Sequence, residues 1–211
     1  MDKICCVIGA MEPGELVLPE GALVIAADGG LKHLERRGIV PDLIVGDFDS
    51  LGRTPEGANV IRHPVEKDDT DMMLAVRTGL ERGCERFLLY GGLGGRLDHA
   101  YANLQTLVFL AEHGAQGWLL GGGIAASAVR NGRLAFAAGR RGTISVFCPS
   151  GKAQGVDLTG LYYPLADAVL TSGFPLGVSN QFTGEAASVA VRDGTLLVMW
   201  EQAEGTLPEH L

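Results

Sequence analysis

Five aspartates in two short segments are the residues of this sequence best suited to chemistry. The segments are Asp47-Phe48-Asp49 and Asp68-Asp69-Thr70-Asp71. In an extended segment Asp47 and Asp49 face the same side, because strand side chains alternate between the two faces. Two neighbouring carboxylates repel each other unless a cation neutralises them. Since Mg²⁺ commonly binds one or two carboxylates together with substrate phosphates, the segments suggest a magnesium site for a phosphorylated ligand.

Both segments also have a simpler structural explanation. Asp47 and Asp49 are of a residue type that forms turns. Carboxylates near a helix N-terminus are stabilised by about 0.3–1 kcal/mol, so a well-capped helix accounts for Asp69 alone. It accounts less well for all three acidic residues of that segment. Lys67 either balances one of these charges or contacts a phosphate. The pattern by itself leaves both interpretations open.

A glycine-rich turn is a second candidate for phosphate binding. Gly91–Arg96 follows a predicted strand and precedes a predicted helix, so its backbone N–H groups are able to cradle phosphate oxygens. Arg96 is able to bind such oxygens in a bidentate manner. The segment lacks the Gly-Lys-Ser/Thr of a Walker loop and the spacing of the dinucleotide fingerprint. Next along the helix, His99 is either a general base or, as is commoner for a lone histidine, a structural residue.

The first half of the sequence alternates predicted strands with predicted helices. The predicted strands are Lys3–Ile8, Leu23–Ala27, Asp42–Val45, Asn59–Arg62, Arg86–Tyr90 and Trp118–Leu120, and the predicted helices are Gly30–Arg37, Thr70–Arg82 and Leu97–His113. Such alternation implies parallel pairing with right-handed crossovers. Ligands of parallel sheets bind beyond the carboxyl ends of the strands. Asp28, Asp47, the start of the second helix and the glycine-rich turn should therefore meet at one sheet edge.

After about Gly123 the pattern changes to short strands with turn signals. Two hairpins are predicted, Ala126–Arg130 with Leu134–Ala138 around Asn131-Gly132, and Ala187–Arg192 with Thr195–Trp200 around Asp193-Gly194. Thr143–Phe147, Val156–Leu158 and Ala166–Thr171 are further predicted strands. We therefore predict an α/β domain with a mainly parallel sheet over residues 1–123. A small antiparallel β-sandwich domain is predicted over residues 124–211.

Composition excludes several classes of function. The 211 residues carry a formal net charge of −8, which argues against a nucleic-acid binder because such proteins present a basic face. The sequence has four cysteines but no Cys-x-x-Cys pair, which argues against zinc and favours reduced thiols in a cytoplasmic protein. No signal peptide and no membrane-spanning segment are apparent.

The ordered set of motifs resembles the thiamine pyrophosphokinase (thiamine diphosphokinase) family along nearly the whole chain. The matching segments are Ala27–Gly30, Pro41–Ser50, Glu66–Asp71, Gly91–His99 with Asn103, Gly160–Leu165 and Gly177–Phe182. Each motif alone is weak, and their order and spacing make the set specific. Val178 and Gln181 depart from the pattern, since many members have Leu and Glu there. Gln181 removes a negative charge beside a site for a cationic ligand.

The resemblance implies a fold, a reaction and an assembly. It implies an N-terminal α/β catalytic domain, a C-terminal β-sandwich, and a homodimer with active sites between the subunits. The implied reaction is magnesium-dependent transfer of the β,γ-pyrophosphoryl unit of ATP to the hydroxyl of thiamine, which leaves AMP. The catalytic residues it implies are Asp47, Asp49, Asp71 and Asp98, of which the first three also bind metal. The implied nucleotide-binding residues are Asp28, Gly29, Lys67, Thr70, Gly94 and Arg96. The implied thiamine-binding residues are Asp98, Tyr162, Ser179 and Asn180.

Two other functions fit the residues taken without the resemblance. One is a different magnesium enzyme, such as a nucleotide hydrolase or a nucleotidyl or sugar transferase, which keeps the metal and changes the acceptor. The other is a ligand-binding or assembly module without catalysis. Thiamine-dependent AMP formation separates the kinase from the first alternative, and tight thiamine binding without turnover would favour the second.

Overall fold

A computed structural model describes residues 3–48, 59–62, 69–202 and 207–211. The chain divides into two compact units. The first comprises Met1–Thr106 and Gly117–Gly122, and the second comprises Leu107–Gln116 and Gly123–Leu211. In the described part of the chain, no helix is long and apolar enough to cross a membrane.

The first unit is an α/β structure with parallel strand pairing. Its strands are β1 (Ile4–Ile8), β2 (Leu23–Ala27), β3 (Leu43–Gly46), β4 (Val60–Arg62), β5 (Arg86–Tyr90) and β6 (Gln116–Gly121). The helices among the described residues are α1 (Gly30–Arg36), α2 (Asp71–Glu81) and α3 (Leu97–Glu112). The strand order is β6-β5-β1-β2-β3-β4. The pairs β5–β1, β1–β2, β2–β3 and β3–β4 are all parallel. This confirms the prediction of strands alternating with helices and pairing in parallel.

The sequence explains where these elements begin and end. β1 and β5 are apolar runs whose last four residues are buried, as expected for parallel strands covered on both faces. Helix α2 begins after Thr70, whose Oγ1 accepts a hydrogen bond from Met73 N at 3.2 Å. This bond satisfies one of the N–H groups that a helix leaves free at its start. Gly83, with φ of +75°, follows the helix in the left-handed conformation that glycine tolerates best.

The second unit consists mainly of antiparallel strands. They are β7 (Ile124–Arg130), β8 (Arg133–Phe136), β9 (Thr143–Phe147), β10 (Lys152–Thr159), β11 (Leu165–Thr171), β12 (Gly177–Gln181), β13 (Ala187–Asp193), β14 (Thr195–Glu201) and β15 (Glu209–His210). Within this unit the strands follow the orders β12-β9-β14-β7 and β11-β10-β13-β8-β15. The rings of Phe136 on β8 and Trp200 on β14 lie 5.3 Å apart, so strands of the two series share a buried core.

Both predicted hairpins are wrong, although their strands exist. β7 pairs with β14, and β8 pairs with β13. The chain therefore passes from one series of strands to the other at Asn131-Gly132, and again at Gly194. The two corners bind each other, since Asn131 N donates to Gly194 O at 3.1 Å and Gly194 N donates to Asn131 Oδ1 at 2.9 Å. Asn131 and Gly194 have φ of 47° and 115°, so turn-forming residues make corners here and not hairpins.

Candidate active site

A cavity of about 360 Å³ lies in the first unit, where β1, β2 and β5 end. Its lining residues are Gly9, Ala10, Met11, Ala27, Asp28, Asp69, Thr70, Asp71, Met72, Gly91, Gly92, Gly94, Arg96, His99 and Asn103. Five of the predicted nucleotide or catalytic residues are among them, namely Asp28, Thr70, Asp71, Gly94 and Arg96. The expected convergence at one sheet edge thus occurs for these five.

One wall of the cavity is the segment that follows β1, which we call the exit loop (residues 9–14). Gly9 N donates to Tyr90 O at 2.8 Å, and Met11 N donates to Gly91 O at 3.0 Å. At Gly91, where φ is +64°, an added Cβ would lie 2.6 Å from the carbonyl oxygens of both Gly9 and Met11. The exit loop and the glycine-rich turn are therefore packed against each other without room for a methyl group.

Asp28 follows β2 directly and reaches the cavity in an uncommon backbone conformation. Its φ is 43°, its N–H donates to Val45 O at 2.8 Å, and only 8% of the residue is exposed. Gly46 of β3 packs against it, since an added Cβ there would lie 3.1 Å from Asp28 Cβ. A non-glycine residue with positive φ costs energy and is often found at functional sites. Asp28 is thus held at the end of its strand by its neighbours.

Three polar residues at the start of α2 line another side of the cavity. Thr70 caps the helix, and Asp71 lies in its first turn. Asp69 forms an ion pair with Arg77, with 3.3 Å between Oδ2 and Nη1. The structural explanation of Asp69 therefore has direct support, because Arg77 balances its charge. Asp71 carries its charge near the positive end of the helix dipole.

The glycine-rich turn ends in an ion pair between Arg96 and Asp98. Arg96 Nε donates to Asp98 Oδ1 at 3.1 Å, and Nη2 donates to Oδ2 at 2.6 Å. The hydrogen bonds from Arg96, assisted by one from His99 N, lower the pKa of Asp98 to about 2. Arg96 lines the main cavity, whereas Asp98 lies beside it in an open depression with Leu97 and Tyr101. Asp98 is accordingly an ionised carboxylate at neutral pH, with its two oxygens engaged by a guanidinium.

Asn103 and His99 face the cavity from α3. Asn103 is buried, and its Nδ2 donates to Gly92 O at 2.7 Å. This bond fixes the glycine-rich turn to the helix. His99 lines the cavity one turn earlier in the helix. This position is compatible both with a general base and with a structural histidine.

The remaining predicted residues of the first unit have different positions. Gly29 is the residue that precedes α1 and does not line the cavity. Asp47 is half-buried and directly follows β3, which pairs with β2, the strand that precedes Asp28. Asp49 and Lys67, together with Asp68, lie outside the described residues.

The predicted thiamine-binding residues of the second unit lie on β12 and on the turn bonded to it. Tyr162 is 64% exposed, and its N–H donates to Gln181 O at 3.0 Å. Ser179 has φ of 58° and is exposed, and its N–H donates to Ser145 Oγ at 3.0 Å. Asn180 is only 3% exposed, so it differs from the other two in its burial.

Asn180 is bound to backbone groups on three sides. Its Oδ1 accepts hydrogen bonds from Tyr163 N and Gln181 N, both at 2.9 Å, and its Nδ2 donates to Tyr163 O at 2.7 Å. The side chain therefore clamps the tyrosine-bearing turn onto β12. This supporting role was not predicted from the sequence.

Sequence reasoning also missed the exit loop as a wall of the cavity. Gly9, Ala10 and Met11 carry no ionisable group and were not considered as site residues. The rule that placed the other segments applies equally to β1, since it ends at the same edge of a parallel sheet. The glycine directly after the strand was the available signal.

The lining of the cavity suits a magnesium–nucleotide complex in its donor chemistry. Among the described residues, no group of three or more His, Cys, Asp or Glu side chains is arranged to hold a metal ion by itself. Three aspartates nevertheless line the cavity, namely Asp28, Asp69 and Asp71. Mg²⁺ usually takes only one or two carboxylates and completes its shell with phosphates and water. The donor set therefore fits that ion in the company of phosphates.

Comparisons with known proteins identify the family to which the chain is similar. The chain matches the model described as "Thiamin pyrophosphokinase, catalytic domain" over residues 15–119 and the model described as "Thiamin pyrophosphokinase, vitamin B1 binding domain" over residues 137–196. The thiamine pyrophosphokinase of Bacillus subtilis (strain 168) is 28% identical over 187 residues, covering 85% of this chain and 87% of that protein.

Solved structures show the same architecture. The crystal structure of thiamine pyrophosphokinase from Bacillus subtilis matches with a TM-score of 0.82 at 26% identity, covering 96% of this chain and all of that one (100%). A thiamin pyrophosphokinase family protein from Enterococcus faecalis matches with a TM-score of 0.78 at 25% identity, with 96% and 100% coverage.

Fold and site define an α/β protein whose cavity lies beyond the carboxyl ends of parallel strands, where such proteins commonly bind ligands. More narrowly, the chain belongs to the thiamin pyrophosphokinase family and is an enzyme of that kind. The family predicted from the sequence motifs is thereby confirmed.

Proposed function

We propose that this enzyme transfers the pyrophosphoryl group of ATP to the hydroxyl of thiamine, giving thiamine diphosphate and AMP with Mg²⁺ as cofactor. The observation that carries the proposal is the cavity of the first unit. It joins carboxylates from two chain segments, a glycine-rich turn and an arginine around about 360 Å³. Membership in the family supplies the identity of the acceptor.

The carboxylates and the glycine-rich turn would bind different parts of the magnesium–nucleotide complex. Asp71 would hold the metal ion together with Asp49 and with Asp47, which directly follows β3, and Asp28 would bind the nucleotide. When bound, Mg²⁺ supplies positive charge that offsets the charge of the phosphates. Gly94 and the turn around it supply backbone N–H groups to phosphate oxygens. Lys67 and Thr70 would also contribute to nucleotide binding, whereas Gly29 would contribute only indirectly, because it does not line the cavity.

Arg96 is able to serve the phosphates without releasing Asp98. It uses Nε and Nη2 for the carboxylate, while a guanidinium offers five N–H donors. The N–H groups of Nη1 therefore remain for a phosphate oxygen. Asp98 orients the guanidinium and so reduces the reorganisation needed when charge develops on the transferred group.

Asp98 would also position the acceptor hydroxyl. With its pKa lowered to about 2 by Arg96, this carboxylate is too weak a base to remove the proton early in the reaction. Phosphoryl transfer depends mainly on alignment and charge neutralisation, so such a role does not require a strong base.

Tyr162, Ser179 and Asn180 would form the thiamine side of the site, and we infer that the sites lie at the interface of a homodimer. The second unit exposes large apolar side chains near β12, which suits an interface. They are Tyr162, Tyr163, Phe174, Leu176 and Val178.

The four cysteines are free thiols, which favours a reducing, cytoplasmic location.

The proposal is tested by incubating the protein with ATP, Mg²⁺ and thiamine and measuring AMP and thiamine diphosphate together. Equal amounts of the two products, formed only when thiamine is present, are expected. Release of ADP or phosphate without thiamine would instead support a nucleotide hydrolase. Thiamine binding without any product would support a binding module.

The shared site is tested by mixing two inactive variants, Asp71→Asn and Ser179→Trp. Mixed dimers would contain one intact site each if the two residues act across the interface. About a quarter of wild-type activity is then expected for random pairing. Activity that stays near zero after subunit exchange would show that both residues serve the same subunit's site.

A further inference from the structure

The back of the exit loop is fastened to α1 by side chains that do not line the cavity. His33 of α1 is buried, and its Nε2 lies 2.9 Å from Ala10 O. Its Nδ1 lies 2.6 Å from Arg36 Nη2. Since a guanidinium only donates, Nδ1 must accept, and the proton of a neutral His33 is on Nε2. The imidazole therefore donates a hydrogen bond to the backbone of the cavity wall.

Arg37 makes a second attachment further along the same loop. Its Nη2 donates to Glu12 Oε1 at 3.2 Å and to Gly14 O at 3.1 Å. The hydrogen bond from Arg37 is the main cause that lowers the pKa of Glu12, and the positive charges of Arg37 and Arg36 act in the same direction. Arg37 Nη1 also donates to His33 O at 3.1 Å, so both attachments belong to one cluster at the end of α1.

Displacement of the exit loop would also displace the glycine-rich turn, because the two segments are in direct contact. Met11 N donates to Gly91 O at 3.0 Å, and an added Cβ at Gly95 would lie 2.6 Å from Met11 Sδ. The loop and the turn therefore cannot move independently. The glycine-rich turn also carries Arg96, which lines the cavity.

We infer that His33 and Arg37 are positioning residues for the nucleotide cavity, because they fix the exit loop against which the glycine-rich turn is packed. This inference rests on the proposed use of the cavity for ATP. It assigns a role in nucleotide affinity to two side chains that would themselves not contact the nucleotide. The chemical step should change little, since the aspartates of the cavity keep their own supports.

The test compares His33→Leu with His33→Gln. Leucine removes both hydrogen bonds of the ring, whereas glutamine retains a donor for Ala10 O and an acceptor for Arg36. We expect His33→Leu to raise the KM for ATP about fivefold to tenfold, as for loss of one or two hydrogen bonds, with kcat changed less than twofold. His33→Gln should restore most of the affinity. A role limited to stability would lower the melting temperature and leave KM unchanged.

Matched controls come from residues with similar bonds elsewhere. His113 Nδ1 donates to Phe109 O at 2.8 Å just beyond the end of α3, so His113→Leu should leave the KM for ATP unchanged. If His33→Leu melts below the assay temperature, Arg37→Leu replaces it, with Arg82→Leu at the end of α2 as its control. An unchanged KM in the folded His33→Leu or Arg37→Leu variant would overturn the inference.

Binding of a fluorescent ATP analogue, measured without turnover, separates this inference from the proposed reaction. A wild-type protein that binds the analogue but makes no thiamine diphosphate would contradict the proposed reaction alone. Weaker analogue binding by His33→Leu would still support the positioning role in that case. Failure of the wild type to bind the analogue would contradict both.

Discussion

Replacing Asn180 by alanine should destabilise the second unit, because its amide satisfies three backbone groups. The change removes the partners of Tyr163 N, Tyr163 O and Gln181 N. Each net hydrogen bond contributes about 0.5–1.5 kcal/mol, so the three together contribute about 1.5–4.5 kcal/mol. Tyr163 is 61% exposed, which allows water to replace part of the loss. A value of about 2 kcal/mol is therefore expected.

The assay is thermal unfolding followed by circular dichroism, with thiamine kinetics on the same samples. In a protein of this size, about 2 kcal/mol corresponds to a decrease in Tm of roughly 4–8 °C. Gln154→Ala is the control, because Gln154 makes a single long hydrogen bond of 3.3 Å to Asp193. Its effect should stay within about 0.5 kcal/mol.

Asn180→Asp gives a sharper test through its pH dependence. An ionised carboxylate still accepts from the two N–H groups but faces Tyr163 O without a proton to donate. Only the protonated form donates there, so folding should raise the pKa of the new carboxyl. Such a group stabilises the fold below its unfolded pKa and loses that effect as pH rises through its folded value. The deficit in Tm should therefore shrink between about pH 7 and about pH 4.

One result would refute this reasoning. If Asn180→Ala melts within 1 °C of the wild type, taken as about the error of the method, the amide does not hold the turn. A raised KM for thiamine in that stable variant would show instead that Asn180 acts only as a ligand-binding side chain.

Three further predictions concern the first unit. Asp71→Asn should lower the rate of AMP release at least about tenfold while the protein remains folded, and near-normal release would count against a metal-binding role. Carboxyl NMR titration should give a pKa of about 2 for Asp98 and a value near the ordinary ~3.9 after Arg96→Met; equal values would mean that the pair does not form in solution. Gly91→Ala should lower the free energy of unfolding more than Gly83→Ala in denaturant titrations, because both have positive φ but only the first would contact exit-loop carbonyl oxygens.

Much of the first unit was predictable because its strands are buried on both faces. The bounds of β2 (Leu23–Ala27) and β5 (Arg86–Tyr90) agree with the prediction residue by residue. Parallel pairing then places every strand end at the same edge, which brought Asp28, Asp71 and Arg96 to one cavity. These are consequences of periodicity and chain direction, both of which are visible in a single sequence.

Strand partners in the second unit were not predictable in the same way. The alternation in β13 and β14 identifies strands but not the strands to which they bind. The turn residues between the predicted strands satisfy a hairpin and a corner equally well. The difference lies in the hydrogen bonds between Asn131 and Gly194, which join residues far apart in sequence. Only contacts of that range distinguish the two arrangements.

The hydrogen-bond capacity of Asn180 limits what a motif can say about its role. An asparagine side chain has two acceptor lone pairs and two N–H donors. Three of these four positions are already used, by Tyr163 N–H, Gln181 N–H and Tyr163 O. The capacity that remains is one N–H, so any ligand bound by this side chain must offer an acceptor atom. A motif match predicts that the residue matters, whereas the structure restricts its direct contribution to a single donated hydrogen bond.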